Sequence, residues 1–91
     1  MGNGSLDKKF KALSSQNRRK IILYLRDGGK CAGDIANQFP VSAPSISYHL
    51  SVLEKSQLIS SVHLEGFIYY YLNFEEMEEV IQWLNKILSK A

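Results

Sequence analysis

One cysteine, Cys31, is all the chain has. No internal disulfide can form, and the sequence reads as that of a cytoplasmic protein. No apolar run approaches the roughly 20 residues that a membrane span needs. The opening MGNGSLDKK lacks the apolar stretch of a secretion signal. Leu6 stands where an N-myristoylation motif requires Ser or Thr, which excludes that anchor as well. There is no glycine loop to cradle phosphate, no Ser/His/acid constellation and no pair of carboxylates in a plausible pocket, so catalysis has no candidate. Repeats, low-complexity tracts and linkers are missing too. Neither sign of charge prevails overall, since 11 Lys and Arg oppose 9 Asp and Glu.

What is present fits one small folded domain. Hydrophobic residues make up 45% of the 91 residues and charged residues 22%, outside the disordered range. We expect a flexible tail at residues 1–5 and a single domain over 6–91. A core limited by this length gains from a dimer interface. Charge is unevenly spread. Residues 1–30 hold Lys8, Lys9, Lys11, Arg18, Arg19, Lys20, Arg26 and Lys30 against Asp7 and Asp27, whereas residues 31–91 hold three lysines against seven acids. Such asymmetry suits one electropositive surface that meets phosphates, and equally a set of solvated helix faces.

Hydrophobic spacing divides the chain into short elements. Ser5 is read as the cap of a first helix, with Leu6, Phe10 and Leu13 on one face and Lys8, Lys9 and Lys11 away from it. Ser14 or Ser15 caps a second helix that runs to about Asp27, where Gly28-Gly29 stops it. Ile21, Tyr24 and Leu25 line its inner side. A shorter helix covers about Cys31 to Phe39, with Ile35, Ala36 and Phe39 inward and Pro40 ending it. After Gln57 the pattern turns to β. Leu58–His63 and Phe67–Leu72 are rich in β-branched and aromatic residues around a Leu64-Glu65-Gly66 turn. Asn73 is read as capping a last helix, with Glu76 completing a capping box. In that helix Phe74, Met77, Ile81, Leu84 and Leu88 form a stripe, which Val80, Trp83 and Ile87 widen to about half the circumference. One core face needs about 100°, so the surplus suggests that this helix also serves a partner.

Residues 41–59, VSAPSISYHLSVLEKSQLI, carry the most information. Ser42 and Pro44 open a helix whose Ile46, Leu50 and Leu53 share one face. The opposite face presents Pro44, Ser47, Tyr48, Ser51 and Lys55, small and hydrogen-bonding where a solvated face normally mixes Glu and Lys. Contact with base edges in a DNA major groove requires short side chains with donors and acceptors. Two short helices joined by a tight turn make a helix-turn-helix, and a hairpin directly after it makes the wing of a winged helix. The expected fold class is therefore mainly α with a small β-hairpin, in the order ααααββα. His49, at the edge of the buried face, is read as packed or locally hydrogen-bonded.

These residues resemble the ArsR family of bacterial winged-helix repressors over about residues 8–88. FKALSSQNRRKIILYL at 10–25 is similar to that family's second-helix signature, of which ALSDPTRRKIL is typical. AGDIANQFPVSAPSISYHLSVLEKSQLI at 32–59 is similar to its helix-turn-helix, and EGFIYYYLN at 65–73 to its wing. Each piece alone is a weak match; three in order with the right gaps are specific. Within the family the chain looks most like the small, SdpR-type autorepressors. The resemblance implies a homodimer joined through the first and last helices, here Leu6, Phe10, Met77, Val80, Ile81, Leu84, Ile87 and Leu88. It implies repression of transcription by binding an inverted-repeat operator in double-stranded DNA. Carried over to matching positions, Ser45, Ser47, Tyr48 and Ser51 face bases or nearby phosphates, with Ser42, Pro44 and Lys55 on the same helix surface. Arg18 and Arg19 lie near the DNA backbone. The wing departs from the pattern, because its tip is Leu64-Glu65-Gly66-Phe67 without the Lys or Arg that family wings usually carry.

Metal sensing is the family's best-known activity. Family thiolate sensors often place two Cys, one residue apart, on the third helix, because soft metals need converging sulfurs. The matching positions here are Cys31 and Gly33. Other members bind zinc between their last helices through His and carboxylates. Residues 74–88 hold no His, and Glu75, Glu76, Glu78 and Glu79 cluster at the start of the helix, where they suit its dipole. No metal or other cofactor is expected. Two alternatives stay open. One is a metal or redox sensor working through Cys31, with Lys30 and a helix N-terminus beside the thiol. The other is a winged helix used as a protein-interaction module, which the acidic wing tip favours. An unidentified protein or small-molecule inducer is also left open.

Overall fold

The computed structural model describes residues 3–89. Helix α1 spans Asn3–Leu13, so residues 3–5 are helical rather than a tail; residues 1 and 2 of the expected tail lie outside the described residues. The expected cap at Ser5 is not formed, because its hydroxyl donates to Glu79 Oε1 at 3.0 Å instead. Helix α2 spans Gln16–Leu25 and opens at Ser15, whose hydroxyl accepts the Arg18 N–H. Helix α3 covers Ala32–Gln38 and helix α4 covers Ala43–Lys55. The turn between them makes the expected helix-turn-helix.

Three strands follow an antiparallel β1-β3-β2 order, with β1 at Lys30–Cys31, β2 at Ile59–Leu64 and β3 at Phe67–Leu72. The hairpin is the expected one, shifted by a residue in β2. Glu65 and Gly66 both take positive φ, 50° and 83°, which is the two-residue primed turn that matches strand twist. Strand β1 adds an element the sequence does not announce, pairing Lys30 with Tyr70 and Cys31 with Tyr69. Two residues are too few to show a period. The last helix, α5, spans Phe74–Ser89. Its expected capping box is absent. The Asn73 carbonyl accepts the Glu76 and Met77 N–H groups, but its side-chain amide turns back to the Gln57 carbonyl at 2.8 Å and Ser60 Oγ at 2.7 Å.

The core is continuous. Ile21 and Leu25 from α2, Ile35 from α3, and Ile46, Leu50 and Leu53 from α4 meet Ile59 and Leu72 of the sheet. Helix α5 contributes almost nothing to it: none of its residues is fully buried, and only Met77 packs against the cluster. At about 1.5 Å per residue the helix is some 24 Å long, and it extends the molecule to 49 × 25 × 25 Å. The Cα radius of gyration, 14.1 Å, accordingly exceeds the ~12 Å of a compact chain of this size. Leu88, near the free end, is 75% exposed.

What docks the first half of α5 is a charge. The sequence places Lys9 away from the apolar side of α1, yet it is only 1% exposed. Its apolar stem is covered and its ammonium sits between Glu76 Oε1 at 2.9 Å and Glu79 Oε1 at 2.7 Å. Beside it Phe10 meets Trp83 edge-on, with ring centroids 5.3 Å apart. Burial pulls the Lys9 ammonium down, but the hydrogen bonds it donates to Glu79 and Glu76 outweigh that and hold the group above its ordinary 10.5. The Lys9 hydrogen bond holds the Glu79 carboxyl below its ordinary 4.5.

These shifts fix the pH dependence. Glu79 binds protons less readily folded than unfolded, so its contribution is present above about pH 4.5 and lost as pH falls through the folded value. Lys9 contributes fully below about pH 10.5, and its contribution is lost as pH rises through the higher folded value. Lys9→Met is expected to cost about 1–3 kcal/mol near neutral pH. Urea unfolding across pH should show a shallower acid loss in the variant than in the parent chain. Equal acid slopes would detach Glu79 from this contact.

Candidate nucleic-acid interface

Helix α4 supplies the surface. Ser42 caps it: its hydroxyl accepts the Ser45 N–H at 3.2 Å and donates to Ser45 Oγ at 2.9 Å. That leaves the Ser45 hydroxyl proton free to point outward. Pro44 sits in the first turn, where its missing N–H costs nothing. Ile46, Leu50 and Leu53 are buried, so the opposite face is forced outward. Pro44, Ser45, Ser47 and Lys55 are exposed, Ser51 is half-buried, and Tyr48 is 61% exposed. A 13-residue helix with such a face is about 20 Å long and fits a major groove about 12 Å wide.

Arg18 requires a correction. The resemblance puts it by the DNA backbone, but the structure buries it to 8% exposure and engages all three guanidinium nitrogens. Its Nε donates to the Ala12 carbonyl at 2.7 Å, Nη2 to the Lys11 carbonyl at 3.2 Å, and Nη1 to His49 Nδ1 at 3.1 Å. Three of its five N–H groups are thus held inside the protein, and its burial keeps the guanidinium away from a phosphate at the surface. Arg19 remains exposed and donates Nη1 to the Leu13 carbonyl at 2.7 Å. Both arginines thus satisfy the orphan carbonyls at the end of α1, where cations are favoured. Of the eight cations in residues 1–30, Lys9 and Arg18 are interior, and Lys30 lies 5.0 Å from the Tyr24 ring centroid. Lys8, Lys11, Arg19, Lys20 and Arg26 remain exposed.

The rest of the site is apolar or silent. At the wing tip Leu64 and Phe67 are exposed beside Glu65, so the tip carries no cation. Cys31 is half-buried before α3 and its side chain makes no capping bond. No cluster of three or more His, Cys, Asp or Glu side chains placed to hold a metal ion occurs among the described residues. Of the eight residues named for a dimer seam, Ile81, Leu84, Ile87 and Leu88 are exposed, while Leu6, Phe10, Met77 and Val80 are half-buried. No described helix is long and apolar enough to cross a membrane.

Comparison with known proteins gives this arrangement a context. A family model described as "Bacterial regulatory protein, arsR family" matches residues 15–61. The chain is 43% identical to the transcriptional repressor SdpR of Bacillus subtilis, over 90% of this chain and 91% of that one. Its fold is similar to an ArsR-like transcriptional regulator from Rhodococcus sp. RHA1, with a TM-score of 0.88 at 29% identity, covering 96% of this chain and 80% of the other. It is also similar to the homodimeric winged helix-turn-helix DNA-binding domain of a Mycobacterium bovis protein, with a TM-score of 0.76 at 18% identity over 96% and 81% of the two chains.

Removing Arg18 takes the side-chain donor from the buried Ala12 carbonyl and from the His49 imidazole, while the Lys11 carbonyl keeps the Ser14 N–H and hydroxyl. Arg18→Ala is therefore expected to cost about 2–4 kcal/mol of stability, against less than about 1 kcal/mol for Arg19→Ala. Urea midpoints measure both. A small loss for Arg18→Ala would mean that water replaces the guanidinium freely.

Proposed function

The chain belongs to the ArsR family of bacterial regulatory proteins, and from that premise we propose that it is a cytoplasmic, homodimeric repressor that reads an inverted-repeat operator in double-stranded DNA without metal. The observation that carries this reading is the outer face of α4, where Tyr48 and three serines stand over a buried Ile46-Leu50-Leu53 stripe. Ser45, Ser47, Tyr48 and Ser51 contact base edges or adjacent phosphates, with Ser42 and Pro44 at the helix entry. Lys55, Arg19 and the exposed lysines of α1 and α2 supply phosphate affinity, which positions the helix without reading sequence. Occupancy of the operator then blocks the polymerase.

Dimerisation follows from α5. Its apolar Ile81, Leu84, Ile87 and Leu88 stand exposed among the described residues, with the half-buried Leu6, Phe10, Met77 and Val80 completing the apolar set on α1 and α5. A second copy related by a two-fold axis would bury this face and set two α4 helices one or two helical turns apart on DNA. The Mycobacterium bovis domain of similar fold is homodimeric.

The donor set does not fit a metal. A soft ion needs two or three thiolates, and Cys31 stands alone with Gly33 at the second position. On α5, Glu76 and Glu79 are already engaged by Lys9. A protein-interaction role remains a second reading, favoured by the exposed Leu64 and Phe67 at the wing tip.

Selection of bound duplexes from a random pool should return an inverted repeat. Tyr48→Ala is expected to lose about 1–3 kcal/mol on that site and far less on random DNA. Replacing Ile81 and Leu84 together by Glu should give monomers with little operator affinity. No enriched sequence, or monomers that still bind the full site tightly, would overturn the reading.

Chelator-treated protein is expected to bind the operator as well as untreated protein does. Zinc, cadmium or arsenite near stoichiometry should shift affinity by less than about tenfold, or roughly 1.4 kcal/mol. A larger shift that vanishes in Cys31→Ser would establish a sensor instead.

A further inference from the structure

Burial of Ile46, Leu50 and Leu53 holds α4 against the body. Apolar burial is not directional, so it decides which face of the helix turns outward but sets the rotation about its axis only coarsely. A hydrogen bond is directional and weakens steeply when misaligned. The bond that reaches α4 from the body at its middle is the one from Arg18 Nη1 to His49 Nδ1, at 3.1 Å. His49 is the neighbour of Tyr48, and their rings lie 5.7 Å apart. The other two guanidinium nitrogens are fixed to the Ala12 and Lys11 carbonyls at the end of α1. Three helices therefore meet at one planar, buried group.

We propose that Arg18 is a positioning residue which, through His49, sets the rotation of α4 and so the direction in which Tyr48 presents to DNA. The proposal rests on the reading of α4 as the DNA-contacting helix. Its chemistry is constrained. A guanidinium only donates, so His49 must offer Nδ1 as an acceptor and carry its proton on Nε2. Protonation of His49 would oppose two N–H groups and two positive charges across that contact. The groups that face the imidazole are Arg18 from α2 and, on its own helix, the Tyr48 ring; α1 contributes backbone carbonyls through the guanidinium. No carboxylate is hydrogen-bonded or ion-paired to Arg18 or His49 among the described residues. Burial, and then the Arg18 charge, hold the imidazole below its ordinary 6.5, so it is neutral at pH 7 and the contact is intact there.

The sign of the consequence separates this role from a simple phosphate contact. A histidine on a phosphate strengthens binding when protonated. A histidine that must accept from Arg18 weakens binding when protonated. Operator and random duplex affinities are measured by fluorescence anisotropy at constant ionic strength from about pH 8 to about pH 5.5, with melting temperatures alongside. The parent chain should bind the operator evenly above neutral pH and lose about threefold by the acid end. His49→Gln retains an acceptor but cannot titrate; it should bind within about twofold of the parent at neutral pH and show no acid loss. His49→Phe removes the acceptor and should bind the operator about tenfold more weakly, with its loss on random DNA much smaller. Affinity that rises on acidification overturns the proposal. So does the same acid loss in His49→Gln, which would point to His63 or another group. If His49→Phe does not fold, the Gln profile decides alone. Failure of the parent chain to prefer operator over random DNA at neutral pH would instead sink the reading of α4 on which the proposal rests.

Discussion

A helix that ends inside a small domain leaves its last carbonyls without partners, and this chain answers at the end of α1 with arginine. Arg18 takes the Lys11 and Ala12 carbonyls and Arg19 takes the Leu13 carbonyl. Because Arg18 also reaches His49, the same group that closes α1 locates α4. Much else follows from that junction. It lets α1 stop sharply at Ser14 and Ser15 so that α2 can start at once, and it settles where the exposed face of α4 begins. Further back along α1, Lys9 performs the matching task toward α5. Helix α1 is thus tied in two directions by cations, and the basic character of the N-terminal third is partly internal.

That double use explains which features are legible in the sequence. The fourth helix is readable because everything that defines it is local: Ser42 as cap, Pro44 in the first turn, and Ile46, Leu50 and Leu53 at helical spacing. The hairpin is readable for the same reason, since Gly66 marks a turn that needs positive φ. Lys9, Arg18, Ser5 and Asn73 are misread because their partners are distant. Lys9 meets acids 67 and 70 positions away, and Arg18 meets a histidine 31 positions away. Ser5 and Asn73 are good cap residues that tertiary contacts divert to Glu79 and to Gln57 and Ser60. The polar surface of α4 survives as a candidate site because outward-facing residues answer to no distant partner; Arg18 does not survive, because a long flexible cation is as useful inside as outside.

Two surfaces of opposite character result. The outer face of α4 is polar and narrow, held on a helix whose other side is fully packed. The outer half of α5 is apolar and stands clear of its own core. The contrast is one of rigidity as well as polarity. A surface meant to recognise something benefits from a fixed backbone beneath it, and α4 has that. Helix α5 has an ionic grip near its start, and from Leu84 onward its described residues are all exposed.

The wing is closed at its base by one residue. The Asn73 N–H donates to the Leu58 carbonyl at 3.0 Å, while its side-chain amide reaches Gln57 and Ser60. Gln57, held at φ 70°, is thereby locked where α4 hands over to β2. Everything between, from Ile59 to Leu72, is an excursion whose two ends are pinned independently of its length. Outward of the Tyr69 and Tyr70 pairing with β1, the wing is thus a part of the molecule that can grow or shrink over generations without moving α4 or α5. Its only rule is parity. Ile59 and Leu72 face the core, and successive side chains alternate, so residues added to the two strands in matched pairs keep every face. A single residue added within one strand must become a bulge or turn the outer part of that strand over.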